Sequence, residues 1–338
     1  MHAPIADRKP AGLLDPTASA PTLQELISDG FDLLPLPGKG GTLKRWQMFA
    51  MVARCDLSLI KLFEGHADAL AIMAELGAPA PLPFSRWGTW CAEPPDARVN
   101  LRRDSDTRNH RLTGRKAWCS GASIVTHAVV SCWNAQNQPC LAGVTLDQPG
   151  VTVTHAGWHA VGMADTQSVD VHFENADAIC IGEPGDYVRR PGFWHGGAGI
   201  AACWYGGAQG IAEMTRQLAG PEPDAHRLAH LGAIDVSLAG AAAVLRETAS
   251  WIDGCPLSDA QTHALRARLV VEHAATEVIW HAGRALGAGP LCRDALFARA
   301  MADLPVFLRQ SHAERDLADL GERVLAPGDL FTEAPWRL

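Results

Sequence analysis

Residues 197–202 read Gly-Ala-Gly-Ile-Ala-Ala and have the loose G-x-G-x-x-A spacing of a dinucleotide-binding turn. Such a turn needs a β-strand directly before it, because the strand aims the phosphates at the N-terminus of the next helix. The preceding residues 189–194 include two arginines, a proline and a glycine, and they lack a strand pattern. We therefore interpret residues 197–202 as part of a closely packed helix rather than as a Rossmann site.

Histidines and cysteines are the next residues whose spacing could bind a metal ion. His226 and His230 are four residues apart in a helical stretch, so they could share a face. No third ligand has a suitable spacing, and we predict an exposed helix face there. The nine cysteines include no C-x-x-C pair, which argues against a zinc site and against a disulfide framework. Free thiols of this kind fit a reducing cytoplasm.

The composition argues against two classes of partner. The chain has 338 residues, of which 47% are hydrophobic and 20% charged, as in ordinary soluble globular proteins. Its formal net charge of -8 argues against a nucleic-acid partner. No stretch reads as a membrane span, and residues 1–21 lack the apolar run of a secretory signal. We expect residues 1–21 to be a flexible N-terminus.

Helical, strand and helical patterns follow one another along the chain. Residues 22–78 have apolar side chains at three- and four-residue steps, and Thr22 with Glu25 has the spacing of a capping box. In residues 79–185, short alternating stretches indicate strands separated by turns, as in a small barrel or sandwich. Residues 186–328 are rich in alanine and leucine at helical spacing. The order predicts an α+β protein.

Several motifs resemble segments of the acyl-CoA dehydrogenase superfamily and occur in the same order. Residues 110–122 resemble its L-x-G-x-K-x-W-x-[ST]-[GN]-A segment, and residues 158–168 resemble its W-x-x-x-G-M-x-x-T-x-S segment. Shorter matches lie at residues 56–59, 171–176 and 282–288. The resemblance extends over residues 23–325. It implies an N-terminal helical domain, a middle β-barrel-like domain and a C-terminal four-helix bundle.

The resemblance also implies a cofactor, FAD, between the β domain and the helical bundle. In the family, the tryptophan of the W-x-[ST] segment packs on the isoalloxazine ring, and the hydroxyl reaches the N5 atom of that ring. The corresponding residues here are Trp118 and Ser120, with Cys119 between them. A flat apolar wall and a hydrogen bond at this edge are what a flavin requires.

Two further flavin contacts follow from the same resemblance. The family's earlier flavin-edge segment corresponds to Trp90, Cys91 and Ala92, and Ala92 stands where a threonine is expected. The arginine that reaches the pyrophosphate of a neighbour's FAD has no clear counterpart, and Arg284 and Arg227 are the candidates. The resemblance implies a homodimer or homotetramer in which the neighbouring subunit completes the site.

The carboxylate base of the family's dehydrogenases is missing. This base removes the α-proton of an acyl thioester while a hydride passes to the flavin. Counted from Asp303, the family position falls on Ser311, and an alternative position in the first bundle helix falls near Ile200. Neither side chain accepts a proton at neutral pH. His312 or Glu314, next to Ser311, could serve instead.

Three functions are compatible with these residues. We favour α,β-dehydrogenation of an acyl-CoA or similar acyl thioester by an FAD-dependent oxidoreductase with an electron-transfer partner. The second is a flavin-dependent monooxygenase, resembling the dibenzothiophene type, that uses Ser120 and His312 and receives reduced flavin from a reductase. The third is a non-catalytic binding or assembly homologue. Because the sequence leaves no room for helices between Leu76 and Pro81, we expect an open substrate site.

Overall fold

The computed structural model describes Leu14 and residues 20–103 and 110–325. Most of the N-terminus that we expect to be flexible, residues 1–21, lies outside the described residues. Within them the protein has the mixed α+β class that the sequence predicted, with helices before and after a sheet.

Three helices precede the sheet: α1 (Leu23–Ser28), α2 (Thr42–Cys55) and α3 (Leu57–Glu75). α1 begins with the predicted capping box, in which the Thr22 hydroxyl accepts from the N–H of Glu25 and the Glu25 carboxylate accepts from the N–H of Thr22. Asp56 alone separates α2 from α3, and it caps α3 by accepting from the Leu59 N–H at 2.7 Å. α3 is buried along most of its length and contacts both the sheet and the later helices.

The connection from α3 to the sheet contains no helix. Residues 76–86, all of them described, form turns and irregular chain up to Trp87. This agrees with the expectation that no helix lies between Leu76 and Pro81. Leu82 and Phe84 are exposed in this connection because no helix covers them.

Among the described residues, the sheet has seven strands: β1 (Trp87–Trp90), β2 (Val99–Arg103), β3 (His110–Cys119), β4 (His127–Trp133), β5 (Pro139–Thr145), β6 (Val151–Val153) and β7 (Val169–Ile181). They pair in the order β1-β4-β2-β3-β7-β5, and β6 pairs with β7. β4 also pairs with β5, from His127 opposite Thr145 to Trp133 opposite Pro139. The order therefore closes on itself, which is how a barrel protects its strand edges.

The helices after the sheet are α4 (Asp186–Arg189), α5 (Gly192–Leu218), α6 (Ala225–Gly254), α7 (Gln261–Leu286), α8 (Ala288–Arg293), α9 (Ala295–Phe307) and α10 (Glu314–Leu325). α5 packs against α2, α6 and α7, and α6 packs against α7. Residues 197–202 lie inside α5, where a Cβ atom on Gly199 would lie 3.2 Å from the indole nitrogen of Trp46. The interpretation as close helix packing is confirmed. The four-helix bundle and the domain boundaries at residues 78 and 185 stay predictions.

α6 is largely exposed in the single chain. Six of its 30 residues are buried, and exposed side chains such as Leu228 and Val236 are apolar. Within the described part of the chain, α6 is the one helix long and apolar enough to cross a membrane, which is weak evidence for a span. The absence of a membrane span and the homo-oligomer both stay predictions.

Candidate functional site

The end of β3 presents an indole to solvent. Trp118 is the penultimate residue of β3, and its backbone lies in the left-handed region with φ of 56°. That conformation costs a tryptophan roughly 1–2 kcal/mol, so the surrounding structure must hold it. The Trp118 side chain is 51% exposed, two residues before Ser120. An exposed aromatic ring next to a hydroxyl suits the flat ring system of a flavin.

A chain of hydroxyl groups holds Ser120. The Trp90 indole N–H donates to the Ser120 carbonyl at 3.1 Å, and Trp90 itself is buried. The Ser120 and Ser168 hydroxyls are hydrogen-bonded at 2.8 Å, and Ser168 is bonded in turn to the Thr166 hydroxyl at 2.9 Å. Thr166 completes the chain by donating to the Met163 carbonyl at 2.7 Å. Trp90 therefore supports the turn after β3 from the core. The hydrogen bond to Ser168 fixes the direction of the Ser120 hydroxyl.

α3 supports the same turn from behind. Gly121 has φ of 71°, and a Cβ atom there would lie 2.6 Å from Cδ2 of Leu62 on α3. Glycine avoids both the strain of that conformation and the shift of Leu62 that a Cβ atom would require. On β1, the Thr89 hydroxyl donates to the Gly65 carbonyl of α3 at 2.7 Å. Residues 61–65 of α3 thus lie against both β1 and the turn after β3.

The turn around Gly162, in the motif of residues 158–168, packs closely against α9. A Cβ atom on Gly162 would lie 2.1 Å from the Ala302 carbonyl oxygen, so a side chain has no room there. The Met163 N–H donates to the Asp303 carboxylate at 2.5 Å. Burial raises the pKa of Asp303, although the Met163 N–H and Arg299 act in the opposite direction. These contacts hold the β domain against α9. Residues 311–314, the candidates for proton transfer, follow α9 in the chain.

His312 is hydrogen-bonded to Asp316 at the start of α10. The Nδ1 atom of His312 lies 3.2 Å from Oδ1 of Asp316, and the His312 backbone N–H donates to Oδ2 at 3.2 Å. Asp316 is buried, whereas the His312 side chain is 56% exposed. The buried carboxylate therefore orients an imidazole that solvent or a ligand can reach.

α7 holds this segment in place through two side chains. The buried Arg268 donates to the Gln310 carbonyl at 2.9 Å and lies 3.6 Å from the Asp316 carboxylate. Burial lowers the pKa of Arg268, yet a guanidinium stays charged at neutral pH. Ser311 is also buried, and its hydroxyl donates to the Glu272 carboxylate. Ser311, one of the expected catalytic positions, uses its hydroxyl in this contact.

The other expected site residues lie in different surroundings. Cys91 and Ala92 are half-buried after β1, and burial raises the pKa of the Cys91 thiol. Cys119 is buried in the sheet, and burial raises the pKa of its thiol as well. Glu314 is exposed as the first residue of α10, and Arg284 is exposed near the end of α7.

The fold connects the residues predicted to bind the flavin with the residues predicted to transfer protons. One group lies at the ends of β1 and β3, and the other lies between α9 and α10. The turn at Met163 joins them, because it is bonded to the first group through Thr166 and to α9 through Asp303. Arg284 stacks instead on the Trp280 ring, with its guanidinium carbon 4.7 Å from the ring centroid.

Sequence reasoning missed Asp316 and Arg268. The four-residue spacing of His312 and Asp316 was a readable signal, since such residues are neighbours at a helix start. Arg268 gave no such signal, because it lies 42 residues from its partner Gln310 and its role depends on tertiary packing.

The described residues contain no group of three or more side chains that could hold a metal ion. His230 and His281 form a hydrogen-bonded pair between α6 and α7, with their Nδ1 atoms 2.8 Å apart. The absence of a metal site at His226 and His230 stays a prediction.

The surface around Trp118 is open in the single chain. Four clefts of about 300 to 900 Å³ are lined by other side chains, and Trp118, Ser120 and His312 do not line these four. The largest of them lies along β2 and is lined in part by Arg98 and Trp133. The neighbouring subunit that the resemblance implies at this site stays a prediction.

No protein-family model matches the chain, and neither does a curated protein sequence. Solved structures do match. Dibenzothiophene monooxygenase (TdsC) from Paenibacillus sp. A11-2 has a TM-score of 0.73 at 21% identity, covering 83% of this chain and 82% of its own. Methanesulfinate monooxygenase MsuC from Pseudomonas fluorescens has a TM-score of 0.74 at 20% identity, covering 89% and 88%. KijD3, solved with FMN and a dTDP-linked amino-keto sugar, has a TM-score of 0.74 at 20% identity, covering 88% and 84%.

TdsC has also been solved with FMN and with indole. The TM-scores of 0.73 to 0.74 establish a shared fold, and the identities of 20 to 21% leave the activity open. Three observations agree on the fold. The strands form a closed path, the turns of the two motifs pack on α3 and α9, and the solved structures match. The chain has the acyl-CoA dehydrogenase fold that its motifs indicated.

Proposed function

We propose that the protein is a flavin-dependent monooxygenase. The observation that carries this choice is the hydrogen bond between His312 and Asp316, an exposed imidazole held by a buried carboxylate. It lies in the segment where the sequence led us to expect a carboxylate base and where Ser311 stands instead. An imidazole exchanges protons near neutral pH, as oxygen chemistry requires. Two structural neighbours, TdsC and MsuC, are monooxygenases.

Trp118 and Ser120 would hold the flavin ring. The exposed indole supplies a flat apolar wall. The Ser120 hydroxyl donates its proton to Ser168, so its oxygen supplies a hydrogen-bond acceptor at the ring edge. Arg284, whose guanidinium lies at the surface, is our candidate for a flavin phosphate held by a neighbouring subunit. The sequence led us to expect FAD, whereas TdsC and KijD3 were solved with FMN, so both flavins belong in the test.

When bound and reduced, a flavin would supply two electrons to O2, so that one oxygen atom enters the substrate and the other leaves as water. The chain's own residues would control where that happens. The indole of Trp118 keeps water from one face of the site. Asp316 accepts from Nδ1 of His312, which leaves Nε2 as the atom that binds or releases a proton.

Dehydrogenation of an acyl thioester is the second candidate, and the motif matches at residues 110–122 and 158–168 favour it. It needs a base at the substrate's α-carbon, and the two family positions hold Ser311 and Ile200. His312 or Glu314 would have to act there. A flavin reductase partner, a small-molecule substrate and a cytoplasmic location complete the monooxygenase proposal.

Flavin titrations with the purified full-length protein separate the candidates. A monooxygenase that receives reduced flavin should bind photoreduced FMN or FAD under anaerobic conditions at least tenfold more tightly than the oxidised form. A dehydrogenase should keep oxidised flavin through purification and lose its yellow colour anaerobically when acyl-CoA is added. If neither redox form binds, the chain is a non-catalytic homologue and the proposal is wrong.

A further inference from the structure

A cluster of charged side chains is buried on α3, outside the residues assigned above. Lys61, Glu64 and Asp68 follow at steps of three and four and so share a face of the helix. The Lys61 ammonium donates to Glu64 at 3.1 Å, and the Arg45 guanidinium of α2 lies 3.2 Å from the Asp68 carboxylate. Glu64 and Arg45 are 7% and 3% exposed. Burying charges costs free energy even when they are paired, so this cluster calls for a functional explanation.

On one side, the α3 backbone next to Glu64 supports the candidate flavin surface. The next residue, Gly65, accepts a hydrogen bond from Thr89 of β1, and Leu62, two residues earlier, packs under Gly121. Gly121 directly follows the serine at the flavin surface. The part of α3 that carries Glu64 is therefore the part that supports that surface.

On the other side, Glu64 faces the C-terminal helices. It lies within electrostatic range of Cys203 on α5 and of Arg268 on α7. Cys203 is one helical turn after Ile200, and Arg268 holds the segment that contains Ser311. Glu64 thus interacts electrostatically with residues next to the two positions where a carboxylate was expected and is absent.

We propose that Glu64 is the proton donor of this site and that Lys61 is its positioning residue. This inference rests on the proposed monooxygenase function. It assigns the one net proton of the reaction to Glu64, so a proton released by Nε2 of His312 returns to that atom within the same turnover. With the reduced flavin monoanion as two-electron donor, one oxygen atom of O2 goes to the substrate, and the water formed from the other needs one further proton. Glu64 donates that proton as a carboxylic acid and becomes a carboxylate paired with Lys61. Solvent returns the proton along the Lys61 side chain, which is 15% exposed.

The surroundings of Glu64 allow it to hold a proton near neutral pH. Burial raises the pKa of Glu64 to about 7; the Lys61 ammonium opposes this effect and the Asp68 carboxylate adds to it. Burial alone would lower the pKa of Lys61, but the Glu64 carboxylate raises it overall, so Lys61 stays charged. Arg45 is the ion-pair partner of Asp68, which leaves Glu64 as the carboxyl that takes the proton. Among the described residues, the charged and titratable groups that interact with Glu64 are Lys61 and Asp68 from its own helix, Cys203 from α5 and Arg268 from α7.

Infrared spectra of the full-length protein without flavin test the protonation directly. The carbonyl stretch of a protonated carboxyl group is resolved from the bands of carboxylates. We expect such a band to disappear with a midpoint near pH 7 in the wild type and to be lost in Glu64→Gln. Glu213→Gln is the matched control, since Glu213 lies on α5 and is paired with Arg54 at 3.5 Å. The proposal is overturned if the decrease with a midpoint near pH 7 persists unchanged in Glu64→Gln, or if it is absent in the wild type. Any part of the band that belongs to Asp303, whose pKa burial also raises, is the same in both proteins.

Two more variants keep the test decisive if Glu64→Gln fails to fold. Lys61→Met removes the opposing charge and should move the midpoint to higher pH. Asp68→Asn removes the like charge and should move it to lower pH. A midpoint that moves in neither variant means that the titrating group is not Glu64.

A kinetic measurement connects the carboxyl group to the reaction. Oxidation of protein-bound reduced FMN by O2 is followed by absorbance across pH in the wild type and in Glu64→Gln. Without a substrate the reduced flavin monoanion, O2 and the same single proton give oxidised flavin and H2O2, so this reaction also depends on the proton that Glu64 donates. We expect roughly a 100-fold lower rate and the loss of the break near pH 7, with unchanged affinity for reduced FMN. Normal binding with an unchanged pH profile refutes the role of Glu64 and leaves the proposed function standing. Failure of the wild type to bind flavin refutes the function, and the infrared spectra still report separately whether Glu64 titrates.

Discussion

Replacement of Trp118 is the perturbation whose size can be worked out most directly. A tryptophan buries about 150–250 Å² when fully covered. Because Trp118 is 51% exposed, roughly 100 Å² of it remains for a ligand to cover. At about 25 cal/mol per Å², this contributes about 2.5 kcal/mol, and stacking adds about 1 kcal/mol at most. Trp118→Ala should therefore weaken flavin binding by about 2–3.5 kcal/mol, or roughly 30- to 300-fold.

The assay is an anaerobic titration with reduced FMN, read by flavin absorbance. Trp118→Phe should retain most of the affinity. Trp118→Gly should lose as much as Trp118→Ala but unfold at a higher temperature, because glycine relieves the left-handed backbone at about 1 kcal/mol. Phe84→Ala is the matched control, since Phe84 is 64% exposed and also has a positive φ of 61°. Affinity within threefold of the wild type in Trp118→Ala, or an equal loss in Phe84→Ala, refutes the aromatic wall.

Three further results are expected from the same contacts. Gly162→Ala should lower the free energy of unfolding by about 1–3 kcal/mol, since its Cβ would lie 2.1 Å from the Ala302 carbonyl; an unchanged urea midpoint would show that the turn does not press on α9. Asp316→Asn should slow oxidation of bound reduced flavin by roughly 100-fold through misorientation of His312 while flavin affinity stays constant, and a parallel loss of affinity would indicate a structural role instead. The free energy of unfolding should fall between pH 4.5 and about pH 7 by up to about 3 kcal/mol on account of Glu64, because the folded chain keeps this proton up to a pKa of about 7 whereas the unfolded chain releases it near 4.5. Denaturant melts across pH should show a smaller fall in Glu64→Gln, and identical slopes would argue against the raised pKa.

The features that the sequence predicted correctly are local. The capping box of Thr22 and Glu25 involves residues three apart, and the helix through residues 197–202 follows from the missing strand before it. The glycines of the family motifs also have a physical reason for their positions. Gly121 and Gly162 stand where a Cβ atom would meet α3 or α9, so the spacing of the motifs records the close approach of the elements.

The features that sequence reasoning missed depend on tertiary packing. Lys61 and Glu64 are three residues apart, a spacing that exposed ion pairs on helices also have, and only the burial of Glu64 makes this pair unusual. Arg268 contacts a carbonyl 42 residues away, which no spacing rule indicates. The catalytic assignments of Ser311, His312 and Glu314 followed counting along the family motif, and the function of each stays a prediction.

A crystal structure of the full chain grown with reduced or oxidised FMN or FAD tests the central claim most directly. We expect the isoalloxazine ring within about 4 Å of the Trp118 indole, and the Ser120 hydroxyl within hydrogen-bond distance of the ring edge. A flavin ring bound elsewhere on the chain, with the Trp118 side chain away from it, would contradict the assignment.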